Sequence, residues 1–315
     1  MRAPVIHVFH QHAGTIAERL RAAGFPWELV AWSDPAQLRA GIGEVVVLLT
    51  ESPPRDAWAG ASRLRLIQTM GAGVDGVLPA PDLPEGVHVA SARGVFAAEV
   101  AEHVILMMLA LQRGLASHVI RQARREWRPF ASGALSGRTA GILGLGEIGR
   151  RAAALSAALG MRVLGACRRP RPVAHVEEVF GPDRLSEVLR AAEHLIVTLP
   201  LTPETRGLLG REGLAATRPG AFLIHVGRGG VIDEAALLGA LESGHLGGAA
   251  LDVFEDEPLP PEHPLWTAPN TLVTPHVAGY GLRYVERIGD VLRGNVERLL
   301  RGEEPVNRVD REAGY

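Results

Sequence analysis

The sequence predicts an α/β protein of two domains, and three observations carry that prediction. Short apolar runs alternate with helical stretches along nearly the whole chain. In the second half these runs are almost uninterrupted, as in parallel strands buried on both faces. One of them leads straight into a glycine-rich turn of the spacing G-x-G-x-x-G and then into a helix. Size agrees: 315 residues, 47% hydrophobic and 22% charged, exceed what one core usually organises and are ample for two.

Taken in order, the runs Val5–Phe9, Val45–Leu49 and Leu64–Thr69 are separated by Pro- and Gly-rich stretches and read as strands of a small α/β unit. Val95 to Leu115 is apolar nearly all round and free of proline, so it reads as one long buried helix linking two domains. A polar, arginine-rich loop is expected around Arg121–Gly137. Strands are then expected at Ala140–Leu143, Arg162–Ala166, Leu195–Leu199, Phe222–Val226, Ala249–Val253 and Leu272–Thr274, with helices between most of them. The amphipathic segment Tyr284–Leu300 reads as a helix that returns to the first domain or to the linking helix. The expected domains are therefore 1–98 with 281–315, smaller and discontinuous, and 99–280.

Several classes of function drop out on composition. A net charge of −2 and a pI near 6.6 leave no basic excess for nucleic acid or an acidic membrane surface. All 33 basic residues are arginine, which removes Schiff-base chemistry and any Walker-type phosphate lysine. One cysteine, Cys167, allows neither an internal disulfide nor a cysteine zinc cage and suits a reducing compartment, the cytoplasm by default. The opening MRAPVIHVFHQH lacks the apolar core of a secretory signal, and Val104–Leu111 is too short to span a bilayer, so a soluble protein is expected. His7, His10 and His12 cluster without an acidic or cysteine ligand beside them, and no metal site is expected. His103, inside the apolar helix, reads as a packed or interface histidine, not a catalytic one.

Chemistry begins at Gly144-Leu145-Gly146-Glu147-Ile148-Gly149, between the strand Ala140–Leu143 and the helical stretch Arg150–Leu159. The first glycine permits a tight turn, the second lets backbone approach a pyrophosphate, and the third lets the helix pack on the strand. This predicts a Rossmann-type domain in which Gly144, Leu145, Gly146, Glu147 and Ile148 bind a dinucleotide, the other reading being a glycine turn with no ligand. NAD sites usually carry an acid at the end of the second strand. Here that strand is followed by Cys167-Arg168-Arg169-Pro170-Arg171. Guanidinium forks at Arg168 and Arg169 match a 2′-phosphate, so NADP(H) is the preferred cofactor and NAD(H) the alternative. A solvated basic turn is the competing reading.

Three further segments each follow an apolar strand: His225-Val226-Gly227-Arg228-Gly229-Gly230, then Asp252-Val253-Phe254-Glu255-Asp256-Glu257, then Thr274-Pro275-His276-Val277-Ala278-Gly279. Ligands of an open parallel sheet sit outside the carboxyl ends of its strands, so Arg228, Glu257 and His276 are expected to converge, with Val226 and Gly279 against the cofactor. With these segments the chain resembles the D-isomer-specific 2-hydroxyacid dehydrogenase family over nearly its whole length. It resembles most the glyoxylate/hydroxypyruvate reductase branch, through Met70-Gly71-Ala72-Gly73-Val74-Asp75, the Cys167-Arg168-Arg169 turn and the ending Val309–Tyr315.

The resemblance implies a flavodoxin-like substrate domain and a small 2-oxoacid substrate, glyoxylate or hydroxypyruvate. By it, Arg228 grips the substrate carboxylate and carbonyl, His276 exchanges the proton as general acid, and Glu257 keeps His276 charged. Ala72 and Gly73 add backbone amides, Asp252 lies near the nicotinamide end, and Pro200 and Thr205 line the cofactor. Two alternatives stay open, an NAD-dependent dehydrogenase of another D-2-hydroxyacid and a non-catalytic dinucleotide-sensing binding protein. The same resemblance implies a homodimer, for which Val104–Leu111 and the arginine-rich loop after it offer a surface.

Overall fold

A computed structural model describes residues 4–78, 80–311 and 314. The chain forms two units: one runs to Phe96 and resumes at Gly281, the other spans Ala97–Tyr280. The first holds β1 (Ile6–Phe9), α1 (Ala13–Ala22), β2 (Leu29–Trp32), α2 (Pro35–Gly41), β3 (Val47–Thr50), β4 (Leu66–Thr69) and β5 (His88–Ala90). Its strands are all parallel in the order β2-β1-β3-β4-β5, the flavodoxin-like arrangement. Leu38, Leu48, Trp58, Leu64, Ile67 and Val89 fill one of its cores. The strands β2 and β5 were not foreseen: each is a sheet edge, β2 is an apolar run of only four residues and partly exposed, and β5 is three residues long.

In the second unit the helix expected over Val95–Leu115 is two helices, α3 (Ala97–Gln112) and α4 (Leu115–Ala123), bent by 67°. Gly114 between them takes φ +61°, a left-handed backbone that glycine adopts without strain and that ends α3. Helix α4 also occupies the start of the stretch expected to be an arginine-rich loop. No residue of it is buried in this chain, so its apolar positions made no core signal. Packing of α3 is on other elements of this unit, so it is a core helix of unit two, not a bare linker.

There follow β6 (Thr139–Leu143), α5 (Glu147–Ala158), β7 (Arg162–Ala166), β8 (Glu178–Phe180), α6 (Leu185–Ala191), β9 (His194–Val197), α7 (Arg211–Ala215), β10 (Phe222–His225), α8 (Glu234–Glu242), β11 (Gly248–Leu251) and β12 (Thr271–Val273). The seven strands are parallel in the order β12-β11-β10-β9-β6-β7-β8, a doubly wound Rossmann sheet that reverses direction at β6 and β9. Helix α3 packs against α5, β10 and β11. The short, exposed edge strand β8 was not foreseen.

Phe180, Ala166, Leu143, Val197, His225, Leu251 and Val273 stand side by side in a single row across all seven strands. Hydrogen bonds carry the row one residue further, from Cys167 to Phe180, Gly144 to Ala166, Thr198 to Leu143, Val226 to Val197, Asp252 to His225 and Thr274 to Leu251.

The last helix, α9 (Tyr284–Leu300), returns to the first unit and packs on α1. Arg19 of α1 makes a bidentate bond to Glu286, and buried Asn295 donates to Gln68 Oε1 of β4 at 2.8 Å. The strand-like residues after it cover the β5 edge, with Val309 N donating to Val89 O and its side chain in the core. Of the ending singled out from the sequence, Glu312, Ala313 and Tyr315 lie outside the described residues. Among the described residues no single helix is long and apolar enough to cross a membrane.

Candidate active site

The ends of β10, β11 and β12 deliver the residues that the sequence nominated. Arg228 leaves β10, Asp252 and Glu257 follow β11, and His276 follows β12; because the three strands are neighbours in register, their loops emerge together. Gly229 is what lets two of these loops meet. A Cβ there would stand 1.9 Å from the Phe254 carbonyl carbon, so only glycine allows the Arg228 turn to press against the backbone that leads to Glu257.

Asp252 is 2% exposed and organises the His276 loop. Its Oδ1 accepts from Thr274 Oγ1 at 2.6 Å and from Val277 N at 3.0 Å, its Oδ2 accepts from Ala278 N at 3.0 Å, and its carbonyl accepts from His276 N at 2.9 Å. Between these bonds His276 takes φ +51°, a left-handed backbone in which a non-glycine residue is strained. The donors on both sides of it, all directed at one residue, offset that strain.

His276 Nδ1 lies 2.6 Å from Glu257 Oε2. A carboxylate only accepts, so the Nδ1 proton points at Glu257 and Nε2 is left for a ligand. The bond to Glu257 raises the His276 pKa above its ordinary value; burial and the Arg228 charge oppose this, and the charges of Glu257 and Asp252 assist it. For Glu257, burial alone would push the carboxyl up. The bonds from His276 and from Phe254 N, with the charges of His276 and Arg228, hold it below the usual range instead. Arg228 is therefore within electrostatic reach of both. Its Nη1 donates to Gly227 O at 2.8 Å, while its carbonyl accepts from the buried ring of His225, whose pKa burial pushes down to about 4.

Glycine positions in the turn after β6 fit a dinucleotide. Gly144 takes φ +99°, and a Cβ on Gly149 would stand 1.9 Å from Gly144 O, so α5 packs directly on the turn. The flank of Gly146 is open, with nothing within 4 Å of a Cβ placed there, and no side chain caps the first N–H groups of α5. Glu147 is paired with Arg150 at 2.7 Å, and Leu145 packs over Gly165. Arg168 and Arg169 are exposed after β7, where Cys167 Sγ bonds Arg169 O and no carboxylate stands in 167–171. A hydrogen bond from Thr202 and one from its own backbone lower the Glu204 pKa, and the Arg168 charge adds to this, so the loop after β9 approaches the arginine turn. In that loop the Thr205 hydroxyl donates to Pro200 O at 2.6 Å and accepts from Thr202 N, which closes the loop on itself. Val226 is buried at the row, and Gly279 follows Ala278 at the end of the His276 loop.

Ala72 and Gly73 belong to the first unit, in the turn after β4 that Thr69 Oγ1 closes by bonding Gly71 O at 2.8 Å. One contact at the His276 loop escaped sequence reasoning. His103, read as a packed or interface histidine, has its Nε2 3.2 Å from Thr274 Oγ1 and 3.8 Å from Asp252 Oδ1. A separation of 171 positions between His103 and Thr274 leaves no sequence signal of that contact.

Comparison with known proteins agrees with this fold. Residues 105–278 match the model of the D-isomer specific 2-hydroxyacid dehydrogenase, NAD binding domain. Glyoxylate/hydroxypyruvate reductase A of Serratia proteamaculans is 35% identical over 269 residues, covering 84% of this chain and 85% of the relative. Among solved structures, an NADPH-dependent glyoxylate/hydroxypyruvate reductase from Sinorhizobium meliloti, in complex with NADP and sulfate, superposes with a TM-score of 0.90 at 32% identity, covering 99% and 100% of the two chains. A D-isomer specific 2-hydroxyacid dehydrogenase from Xanthobacter autotrophicus Py2, in complex with NADPH and MES, gives 0.87 at 34% identity over 99% and 100%.

The His276–Glu257 pair is open to direct measurement. His276 is expected to hold its proton to higher pH than an ordinary histidine, and Glu257→Gln, which removes the acceptor charge, is expected to move the midpoint down. Ring-nitrogen NMR reads this without any substrate; a midpoint that the substitution leaves in place would show that Glu257 does not set it.

Proposed function

The chain belongs to the D-isomer specific 2-hydroxyacid dehydrogenase family, and on that premise we propose that it reduces a small 2-oxoacid, glyoxylate or hydroxypyruvate, to the 2-hydroxyacid with NADPH. The observation that carries this reading is the 2.6 Å pair of His276 and Glu257 beside Arg228. Gly144–Ile148, with Val226, Asp252 and Gly279 beyond the carboxyl ends of the strands, would hold NADPH, which when bound would supply the hydride. The planar Arg228 fork binds the substrate carboxylate and draws electron density from the carbonyl. His276 donates its Nε2 proton to the carbonyl oxygen as negative charge develops there, and Glu257 stabilises the imidazolium until that moment. Ala72 and Gly73 stay, on the resemblance, our candidate backbone donors to the carboxylate.

On this reading the reduction runs on protonated His276. The rate should therefore hold below its raised pKa and fall as pH passes above it, and oxidation of the hydroxyacid should show the opposite limb. His276→Ala is expected to lower kcat by roughly 10²–10⁴-fold with NADPH binding retained. Arg228→Lys, which keeps the charge but loses the fork, should raise KM for glyoxylate. Wild-type kcat in the first variant, or wild-type KM in the second, would remove the corresponding assignment.

For the cofactor, the exposed Arg168 and Arg169 and the missing carboxylate in 167–171 support a 2′-phosphate, as do the NADP and NADPH held by the Sinorhizobium and Xanthobacter proteins. Two guanidinium–phosphate contacts at roughly 1–3 kcal/mol each separate the cofactors by well over tenfold. Replacing both arginines by Ala should raise KM for NADPH, leave that for NADH nearly unchanged, and make the NADPH value less sensitive to salt. A wild-type enzyme that prefers NADH refutes the assignment.

We also propose that two copies of this chain pair through unit two. Leu106 and Leu109 of α3 and Leu115, Val119 and Ile120 of α4 are all exposed, with Ile120 at 53%, and they form an apolar face on adjoining helices. Sedimentation velocity should give a dimer that Val119→Glu with Ile120→Glu dissociates. A monomeric wild-type protein at micromolar concentration would end this reading.

A further inference from the structure

We infer that His103 is a positioning residue for His276, acting through Thr274 and Asp252. The inference rests on the reading of His276 as the proton donor. Thr274 Oγ1 has one proton, and the 2.6 Å contact with Asp252 Oδ1, an acceptor, uses it. In the 3.2 Å contact with His103 Nε2 the hydroxyl oxygen must therefore accept, so the imidazole donates. Burial lowers the His103 pKa, against the pull of Asp252, which leaves a neutral ring whose single proton sits on Nε2. The bonds thus run in one direction, from His103 to Thr274 to Asp252.

Asp252 passes the constraint on, since its remaining bonds are to Val277 N and Ala278 N, directly after the strained His276. Mechanical need for a second anchor is visible in the sheet. β12 has only three residues, none fully buried, and a strand partner on one side only, so the loop that leaves it is weakly held by the ladder. His103 ties that loop to α3, a 16-residue helix packed on α5, β10 and β11. The charged groups facing His276 are Glu257, Arg228 and Asp252, and the one facing His103 is Asp252.

Three variants test this: His103→Leu, which removes the donor; His103→Gln, whose amide nitrogen donates from nearly the position of Nε2; and Thr274→Val, which cuts the relay without altering α3. In His103→Leu, kcat with glyoxylate should fall about fivefold, the loss of one ordinary hydrogen bond, while the NADPH dissociation constant stays within about twofold. The His276 midpoint, read by ring-nitrogen NMR, should fall toward its ordinary value as the contact with Glu257 loosens. Thr274→Val should reproduce both changes, and His103→Gln should restore most of each. Equal losses in the Leu and Gln variants, or a Thr274→Val protein with wild-type kcat and His276 midpoint, would overturn the inference in favour of simple packing. A wild-type protein that turns over no oxoacid would instead sink the proposed function, and the midpoints of the three variants would still decide whether His103 positions the ring.

Discussion

A single row of residues, running from Phe180 at one edge of the second sheet to Val273 at the other, ends seven parallel strands at the same level. Parallel pairing forces this kind of alignment, because every strand is entered from the same side and each connection must cross over before the next begins. What leaves the sheet after the row therefore emerges on one face: the glycine turn at Gly144, the arginine turn at Arg168, the Pro200 loop, Arg228, Asp252 and the His276 loop. No side chain had to travel across the unit to meet another. The chemistry was assembled by register before any of these groups made a contact.

The site divides buried groups from open ones. Asp252 and His225 are buried and spend their bonds on backbone or on residues of neighbouring loops. Glu257 and His276 are far more open, with the His276 side chain 47% exposed. Burying this pair more deeply would have raised the carboxyl and lowered the imidazole, weakening both partners of the ion pair. The buried neighbours do the holding, and the His276–Glu257 pair keeps its contact with water.

The sheet interior was legible because strands buried on both faces must be apolar, and the strands read at Arg162–Ala166 and near Phe222 and Ala249 lie where the ladder forms. Edges were less so: the strand near Leu272 was read, but Glu178–Phe180 opens on an exposed carboxylate and Leu29–Trp32, though apolar, is four residues long and partly exposed. Helix α4 was hidden for a related reason: its apolar side chains are not buried, and Arg121 with the arginines that follow the helix suggested a loop. Motif residues could be found individually, because each stands at a fixed distance beyond a strand. His103 could not, because its partner lies on another element and the link depends on how α3 crosses the sheet.

The absence of lysine has a consequence at the site that the sequence and the structure establish together. With no lysine in the chain, the cations at the site other than histidine are guanidinium groups, Arg228, Arg168 and Arg169 among them. Of the histidines around Arg228 and Asp252, burial pushes His225 down to about 4 and lowers His103 as well. His276 is the one whose surroundings raise it, and it does so against a carboxylate that is itself held low. Among these groups a response to neutral pH traces to one ring, whose affinity for its proton is set by Glu257 and whose place is set by Asp252.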